Sequence, residues 1–243
     1  GNKMKTAVFA NSKGGVGKST IALLTSLSLA TRHNRAKVEL IDLDPQATTS
    51  DSLSRFTNHR FNVTNNEEFS LGSTTPNNSR IISHLESISS DHLSECYSIL
   101  DCPAGNEPQR STFLLHSNII FIPTSVSDAD VFATKKYISS LIELFDSDTE
   151  NSPKKAPLAV ILPSMIDHRD ELNELRSVLA GMPVYFGKPL RYSPNFRRAF
   201  RAERDDNNVK VLLREHSAYS KWITDLIIHS DRLKLRPKKL FQL

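Results

Sequence analysis

The chain has no apolar run of the ~18–20 residues a membrane-spanning helix needs. It has no signal-peptide pattern either, because Asn11-Ser12-Lys13-Gly14 interrupts the first apolar stretch at once. Two cysteines, Cys96 and Cys102, are too few for a disulfide framework or a zinc site. They read as reduced thiols in or near a strand. No internal repeat and no linker-like stretch divides the 243 residues. These absences leave one domain over residues 1–243 and predict a cytoplasmic protein. A chain of this length buries roughly 70–75% of its unfolded surface, enough for a substantial core. Hydrophobic residues at 38% and charged residues at 24% are close to globular averages.

Charge is unevenly spread. Residues 186–243 hold 14 Lys and Arg against 6 Asp and Glu, whereas the other 185 residues hold 17 against 21. A basic C-terminal region of this kind either meets a polyanion or is a solvated face.

Strand and helix patterns alternate along the chain. Lys5–Ala10 reads as a buried strand and residues 11–18 as a Gly-rich loop. Thr20–Thr31 spaces Ile21, Leu24, Leu27 and Leu29 as a helix does, and Lys37–Asp42 is a second strand. The crossover is long enough for parallel pairing. Residues 57–80, rich in Asn, Ser and Thr, predict a long loop with a short strand at Phe61–Val63. Further strands are expected at Tyr97–Asp101, Asn118–Ile122, Leu158–Leu162 and Val184–Phe186. Helices are expected at Ile81–Leu93, Ala129–Phe145, Asp170–Leu179, Asn195–Glu203 and Ala218–Ile228. The fold class is therefore α/β, a mostly parallel twisted sheet with helices on both faces.

The sharpest signal is KGGVGKST at Lys13–Thr20, between the first strand and the first helix. Chance would produce K-G-G-x-G-K-[ST] in such a chain with a probability on the order of 10⁻⁵. Gly14, Gly15, Val16 and Gly17 let successive backbone N–H groups turn inward onto phosphate oxygens. The helix start adds its positive end. Lys18 is placed to reach the β- and γ-phosphates, Ser19 to ligate Mg²⁺, and Thr20 to donate to the α-phosphate. The first position of the usual phosphate-loop pattern is Ser12 rather than Gly, and an extra lysine, Lys13, follows it. Lys13 cannot easily fold back on its own nucleotide, so it is aimed at one held by another subunit.

Residues 13–20 resemble the deviant Walker A loop of the ParA/MinD family of ATPases, a P-loop NTPase fold. The resemblance implies an ATP-sandwich homodimer in which Lys13 crosses the interface. VELIDLDPQAT (Val38–Thr48) resembles the family's switch I, which implies Asp44 for positioning the attacking water and Asp42 for the Mg²⁺ side. SILDCPAG (Ser98–Gly105) resembles its Walker B strand and switch II, with Asp101 holding Mg²⁺ through water. IPTSVSDADVFATKKYI (Ile122–Ile138) resembles the segment leading to the dimer interface, and PLRYSPNFRRAF (Pro189–Phe200) a loop followed by a basic helix. By this resemblance the adenine pocket lies near Leu162–Met165 and Pro189–Tyr192, with Pro189 as a contact. The family's usual Asn after that strand is missing from ILPSMID, so motifs alone leave guanine open. The likeness runs from Lys5 to about Glu203.

Arg197, Arg198, Arg201 and Arg204 fall at helical spacing, with Phe196 and Phe200 among them. They read either as a phosphate-backbone contact or as a solvated helix face, and Lys234, Arg236, Lys238 and Lys239 extend the basic character. The family resemblance favours nonspecific DNA. The leading expectation is a ParA-type partition ATPase with ATP and Mg²⁺ as cofactors. It would hydrolyse ATP weakly alone, faster under a ParB-like adaptor, and sit on the nucleoid. The alternative is a MinD-like membrane-associated positioning ATPase. Its candidate amphipathic stripe is Tyr219, Trp222, Ile223, Leu226 and Ile227, a pattern more often found packed in a core. A third class, an iron–sulfur reductase, needs bridging cysteines; Cys102 is close to Asp101, but Cys96 is expected to fall before the strand.

Overall fold

A computed structural model describes residues 4–11, 17–32, 36–44, 61–65, 69, 75–89, 95–103, 105, 107–147, 156–191, 193–195, 206–233 and 240–243. In chain order the elements are β1 (Met4–Phe9), α1 (Lys18–Arg32), β2 (Lys37–Asp42), β3 (Phe61–Thr64), α2 (Asn78–Ser89), β4 (Cys96–Asp101), β5 (Ile119–Thr124) and α3 (Asp128–Ser147). There follow β6 (Leu158–Ile166), α4 (Arg169–Leu179), β7 (Tyr185–Phe186), β8 (Leu190–Arg191), α5 (Asp206–Glu215), α6 (Ser217–Ile228) and β9 (Phe241–Gln242). Short 3₁₀ turns at Pro108–Arg110 and Thr112–His116 lie between β4 and β5.

The strands form one sheet in the order β3-β2-β4-β1-β5-β6-β7-β9, with β8 added beside β6. Every described pairing is parallel, so the expected mostly parallel sheet is parallel throughout its described part. β1, β4 and β5 are buried at every position. That is the signature of strands covered on both faces, and it explains why they read as continuous apolar runs rather than alternating ones.

Strand alternation sorts the side chains into two layers. Ala7 and Phe9 of β1, Val38 and Leu40 of β2, and Tyr97 and Ile99 of β4 face α1, α5 and α6, meeting Ile21, Leu24, Leu212, Ile223 and Ile227. Val8, Ile41 and Leu100 face α2, α3 and α4, meeting Ile81, Leu85, Ile138, Leu141, Leu175 and Leu179. The stripe weighed above as a membrane face belongs to the first layer. Tyr219, Ile223 and Ile227 are buried, and Trp222 and Leu226 pack against the same core. Trp222 also accounts for Gly187: a Cβ there would lie 2.5 Å from the indole Cη2 and 3.0 Å from the Ile161 carbonyl oxygen. No helix among the described residues is long and apolar enough to cross a membrane.

Several boundaries differ from the sequence expectations. β6 runs on to Ile166 rather than stopping at Leu162, because β8 pairs with Ser164 and Ile166 and prolongs the ladder. α2 begins at Asn78 instead of Ile81, where Asn77 accepts from the Arg80 amide and so ends the preceding loop. Cys96 is the first residue of β4 rather than preceding it. α5, β8 and β9 were not anticipated. The expected helix at Asn195–Glu203 lies mostly outside the described residues.

Candidate functional site

The carboxyl ends of β1, β2, β4 and β5 gather at one edge of the sheet. From β1 the chain crosses to the α1 layer, whereas Phe113–Leu115 after β4 and α3 after β5 go to the other. In parallel sheets ligands bind where successive connections part in this way. Backbone bonds tie these strand ends together: Ala10 N–H to the Phe121 carbonyl at 3.0 Å, Cys102 N–H to Phe9 at 3.0 Å, and Leu43 N–H to Asp101 at 2.9 Å.

α1 enters this edge head first. Gly17 has φ +77°, a conformation that a Cβ would strain, and its carbonyl accepts the first helical bond, from Ile21 N–H at 3.0 Å. No acidic residue occupies the first turn of α1, so its positive end is not neutralised from within the helix. Ser19 and Thr20 are half-buried on that turn. Lys13, Gly14, Gly15 and Val16 lie outside the described residues.

Lys18 is 7% exposed and forms an ion pair with Asp101, which is fully buried. Asp101 ends β4 in register with Asp42, the last residue of β2 and equally buried. Their parity with Ile99 and Leu40 puts both carboxylates on the α1 side of the sheet. The spacing of Asp42 and Asp44 predicts two carboxylates sharing one side of an extended strand. β2 stops at Asp42, however, and Asp44 sits half-buried in the turn beyond, its backbone N–H donating to Asp42 Oδ1 at 3.0 Å. The carboxylate beside Asp42 in the sheet is therefore Asp101, a pairing across strands that no local spacing reveals.

Cys102, next to this cluster, is buried, and burial pushes its thiol up to about 12. The Lys18 ammonium opposes that shift and the Asp101 carboxylate reinforces it. Such a thiol stays protonated and unreactive. Tyr137, buried nearby, has its phenol held well above its usual value by burial first and by Cys102 second.

The stretch Leu162–Met165, expected beside a base, is mostly closed. Leu162, Pro163 and Ser164 are buried within β6, because the prolonged ladder keeps them inside the sheet. Met165 alone is exposed, bulged between the bonded positions Ser164 and Ile166 with φ +59°. Left-handed backbone at a bulky residue is costly and collects at functional edges. The Met165 thioether methyl lies 3.9 Å from where a Gly17 Cβ would stand. Pro189 is exposed just before β8. Tyr192 and the arginines Arg197, Arg198, Arg201 and Arg204 lie outside the described residues.

Sequence reasoning missed Asn11, Thr124 and Thr134, three buried polar residues at the ends of β1 and β5 and on α3, with Thr134 bonded to both of the others. The available signal was a polar residue directly after an apolar strand, which Asn11 supplies.

A parallel sheet whose first strand is followed by a Gly-rich sequence and a helix start after Gly17, flanked by strand-end carboxylates, is the architecture of nucleotide-binding α/β proteins. Residues 7–204 match the family described as CbiA, the CobQ/CobB/MinD/ParA nucleotide binding domain. The chain belongs to that family. Among curated proteins, none matches the sequence. Solved structures show the same fold at low identity. Apo McdA of Cyanothece has a TM-score of 0.65 at 15% identity, covering 91% of this chain and 98% of its own. A chain of the MinC:MinD cell division protein complex of Aquifex aeolicus has 0.63 at 15%, covering 94% and 95%. The pNOB8 ParA bound to nonspecific DNA has 0.63 at 15%, covering 96% and 100%.

Proposed function

We propose that this chain is a ParA-type positioning ATPase acting as a single domain. The observation that carries the reading is the buried trio of Lys18, Asp101 and Asp42 at the head of α1. Two carboxylates and one ammonium leave the trio with one excess negative charge, which suits a divalent cation in a buried place. Ser19, Asp42 and Asp101 are the residues that would hold Mg²⁺. When bound, Mg²⁺ supplies charge neutralisation on the β- and γ-phosphates.

Gly14, Gly15, Val16 and Gly17 present backbone N–H groups to the phosphates, joined by Ser19 and Thr20 at the helix start. Lys18 exchanges the Asp101 carboxylate for phosphate oxygens. Asp44, in the turn past Asp42, orients the attacking water. Lys13 serves the nucleotide of a second protomer, so that ATP closes a homodimer. Met165 and Pro189 stand where a base would rest. Arg197, Arg198, Arg201 and Arg204 bind the phosphate backbone of nonspecific DNA, and dimerisation doubles those contacts. A ParB-like adaptor speeds the weak hydrolysis and releases the dimer, which makes ATP a timer on a nucleoid-bound state in the cytoplasm. The pNOB8 ParA bound to nonspecific DNA supports the DNA part as a likeness of fold; the arginines carry the rest. Core burial of Tyr219, Ile223 and Ile227 removes the stripe that the membrane alternative needed.

The test is an anisotropy titration of labelled random duplex DNA with ATP, ADP or no nucleotide at two salt concentrations. Binding that needs Mg²⁺ and ATP and weakens with salt is expected. Binding indifferent to nucleotide, or absent with ATP, refutes the DNA role.

A further inference from the structure

The residue leading into the phosphate loop is held more firmly than a loop start requires. Asn11 follows Ala10 and is 1% exposed. Its side-chain amide donates to the Pro123 carbonyl at 2.5 Å and to Thr134 Oγ1 at 3.2 Å. Thr134 Oγ1 lies 2.8 Å from Thr124 Oγ1, and both threonines are fully buried. The network thus joins the end of β1, the end of β5 and the second turn of α3.

The chemistry assigned to Lys18, Asp42 and Asp101 uses none of these groups. Packing alone does not ask for them either, since the neighbours Val8, Ala10, Ile122 and Ile138 are apolar in the same layer. The two N–H protons of an amide point in fixed directions. Meeting the Pro123 carbonyl and the Thr134 hydroxyl together therefore leaves the Asn11 side chain little freedom. A satisfied buried polar network adds modest net stability but specifies one geometry sharply. Here the geometry it specifies is the point from which residues 12–17 set out.

We propose that Asn11 is a positioning residue of the phosphate loop, acting through Thr134 so that the loop's origin and α3 move as one unit. This rests on the nucleotide reading given above. Its consequence is that nucleotide binding tightens the second turn of α3, although α3 contributes no phosphate ligand to that reading. Beside that turn the Phe132 side chain is 65% exposed, with the Lys136 ammonium 5.6 Å from its ring centroid. The state of the loop is thereby passed to a surface.

Thr134→Val keeps the shape and removes the hydroxyl, while Thr134→Ser restores it. Titration with a fluorescent ATP analogue and Mg²⁺ should show Thr134→Val weaker by about tenfold, the worth of one buried hydrogen bond. Thr134→Ser should recover most of that loss. Amide exchange over residues 131–137 should slow on adding ATP in the unmodified protein and not in Thr134→Val. If Thr134→Val is too unstable to purify, Asn11→Ser, which shortens the donor, carries the same test. Equal affinity in all variants, with only a lower melting temperature, reduces the network to packing and overturns the proposal. An unmodified protein that binds no ATP overturns the nucleotide site itself, a result distinct from a site that binds equally well without the Thr134 hydroxyl.

Discussion

At the carboxyl edge of β1, β2 and β4 the buried groups are polar and matched: Lys18 with Asp101, the Asp42 carboxylate with the Asp44 amide, and Asn11 with Pro123 and Thr134. On the flank where α6 covers α1, the buried groups are chiefly apolar, led by Ile223 and Ile227. The Tyr219 and Ser220 hydroxyls there are buried with no hydrogen-bond partner among the described residues. Burial thus serves two ends in one sheet. At the edge it lowers the local dielectric and sharpens electrostatics; on the flank it removes apolar area from water, and the stray hydroxyls there only subtract from the gain.

The largest expected effect separates the two regions most cleanly. Lys18→Ala should abolish ATP binding, read by fluorescent-nucleotide titration. Because it leaves the Asp101 carboxylate buried without its cation, it should also cost about 3–5 kcal/mol of stability. Retained ATP affinity in that variant would remove the phosphate-loop assignment. Next comes Ile223→Ala, expected to cost about 2–5 kcal/mol through a cavity between α6 and α1. Denaturant unfolding should register that loss while ATP affinity, measured on the folded fraction, stays unchanged. A loss of affinity would show that the flank and the edge are not independent.

Tyr219→Phe sharpens the contrast from the other side. It removes a buried hydroxyl that has no partner among the described residues, so stability should hold or rise by up to about 1 kcal/mol; a clear loss by calorimetry would reveal a partner. Tyr219 ionisation is pushed far above its usual range by burial, so the comparison is insensitive to pH near neutrality. The smallest effect concerns Glu215. The Asn195 amide, at 2.6 Å, holds its carboxylate below the usual value, helped by the Ser193 hydroxyl at 3.0 Å and by His216, while burial opposes them. A depressed folded value gives stability that is complete above the unfolded value of 4.5 and is lost as pH falls through the folded one. Melting temperature should therefore fall more steeply below about pH 4.5 in the unmodified protein than in Glu215→Gln. Parallel curves would mean that the contacts of Glu215 do not outlast solvent competition.

The strands that proved easiest to read were β1, β2, β4 and β5, whose apolar runs are bounded by polar turns. β8 and β9, two residues each, escaped because so short a segment carries no periodicity; β7, equally short, was legible only because Val184–Phe186 is a β-branched and aromatic run. α5 escaped because it follows a run of charged residues without an apolar stripe long enough to announce it. Within the candidate site, Lys18, Asp42 and Asp101 were legible from motifs, yet their partnership was not. The ion pair of Lys18 with Asp101 joins residues 83 positions apart, and the bond of Asn11 with Thr134 joins residues 123 apart.

Taken alone, the amino-acid order determined the alternation of strand and helix, the glycine at the head of α1 and the carboxylates at strand ends, because each of these depends on neighbours a few residues away. Tertiary structure decided which carboxylate stands beside which, that the α6 stripe faces the core, and that Asn11 is moored to α3. Those outcomes depend on strand order and on which face of the sheet a helix covers, and both are set by packing over distances that no local pattern spans.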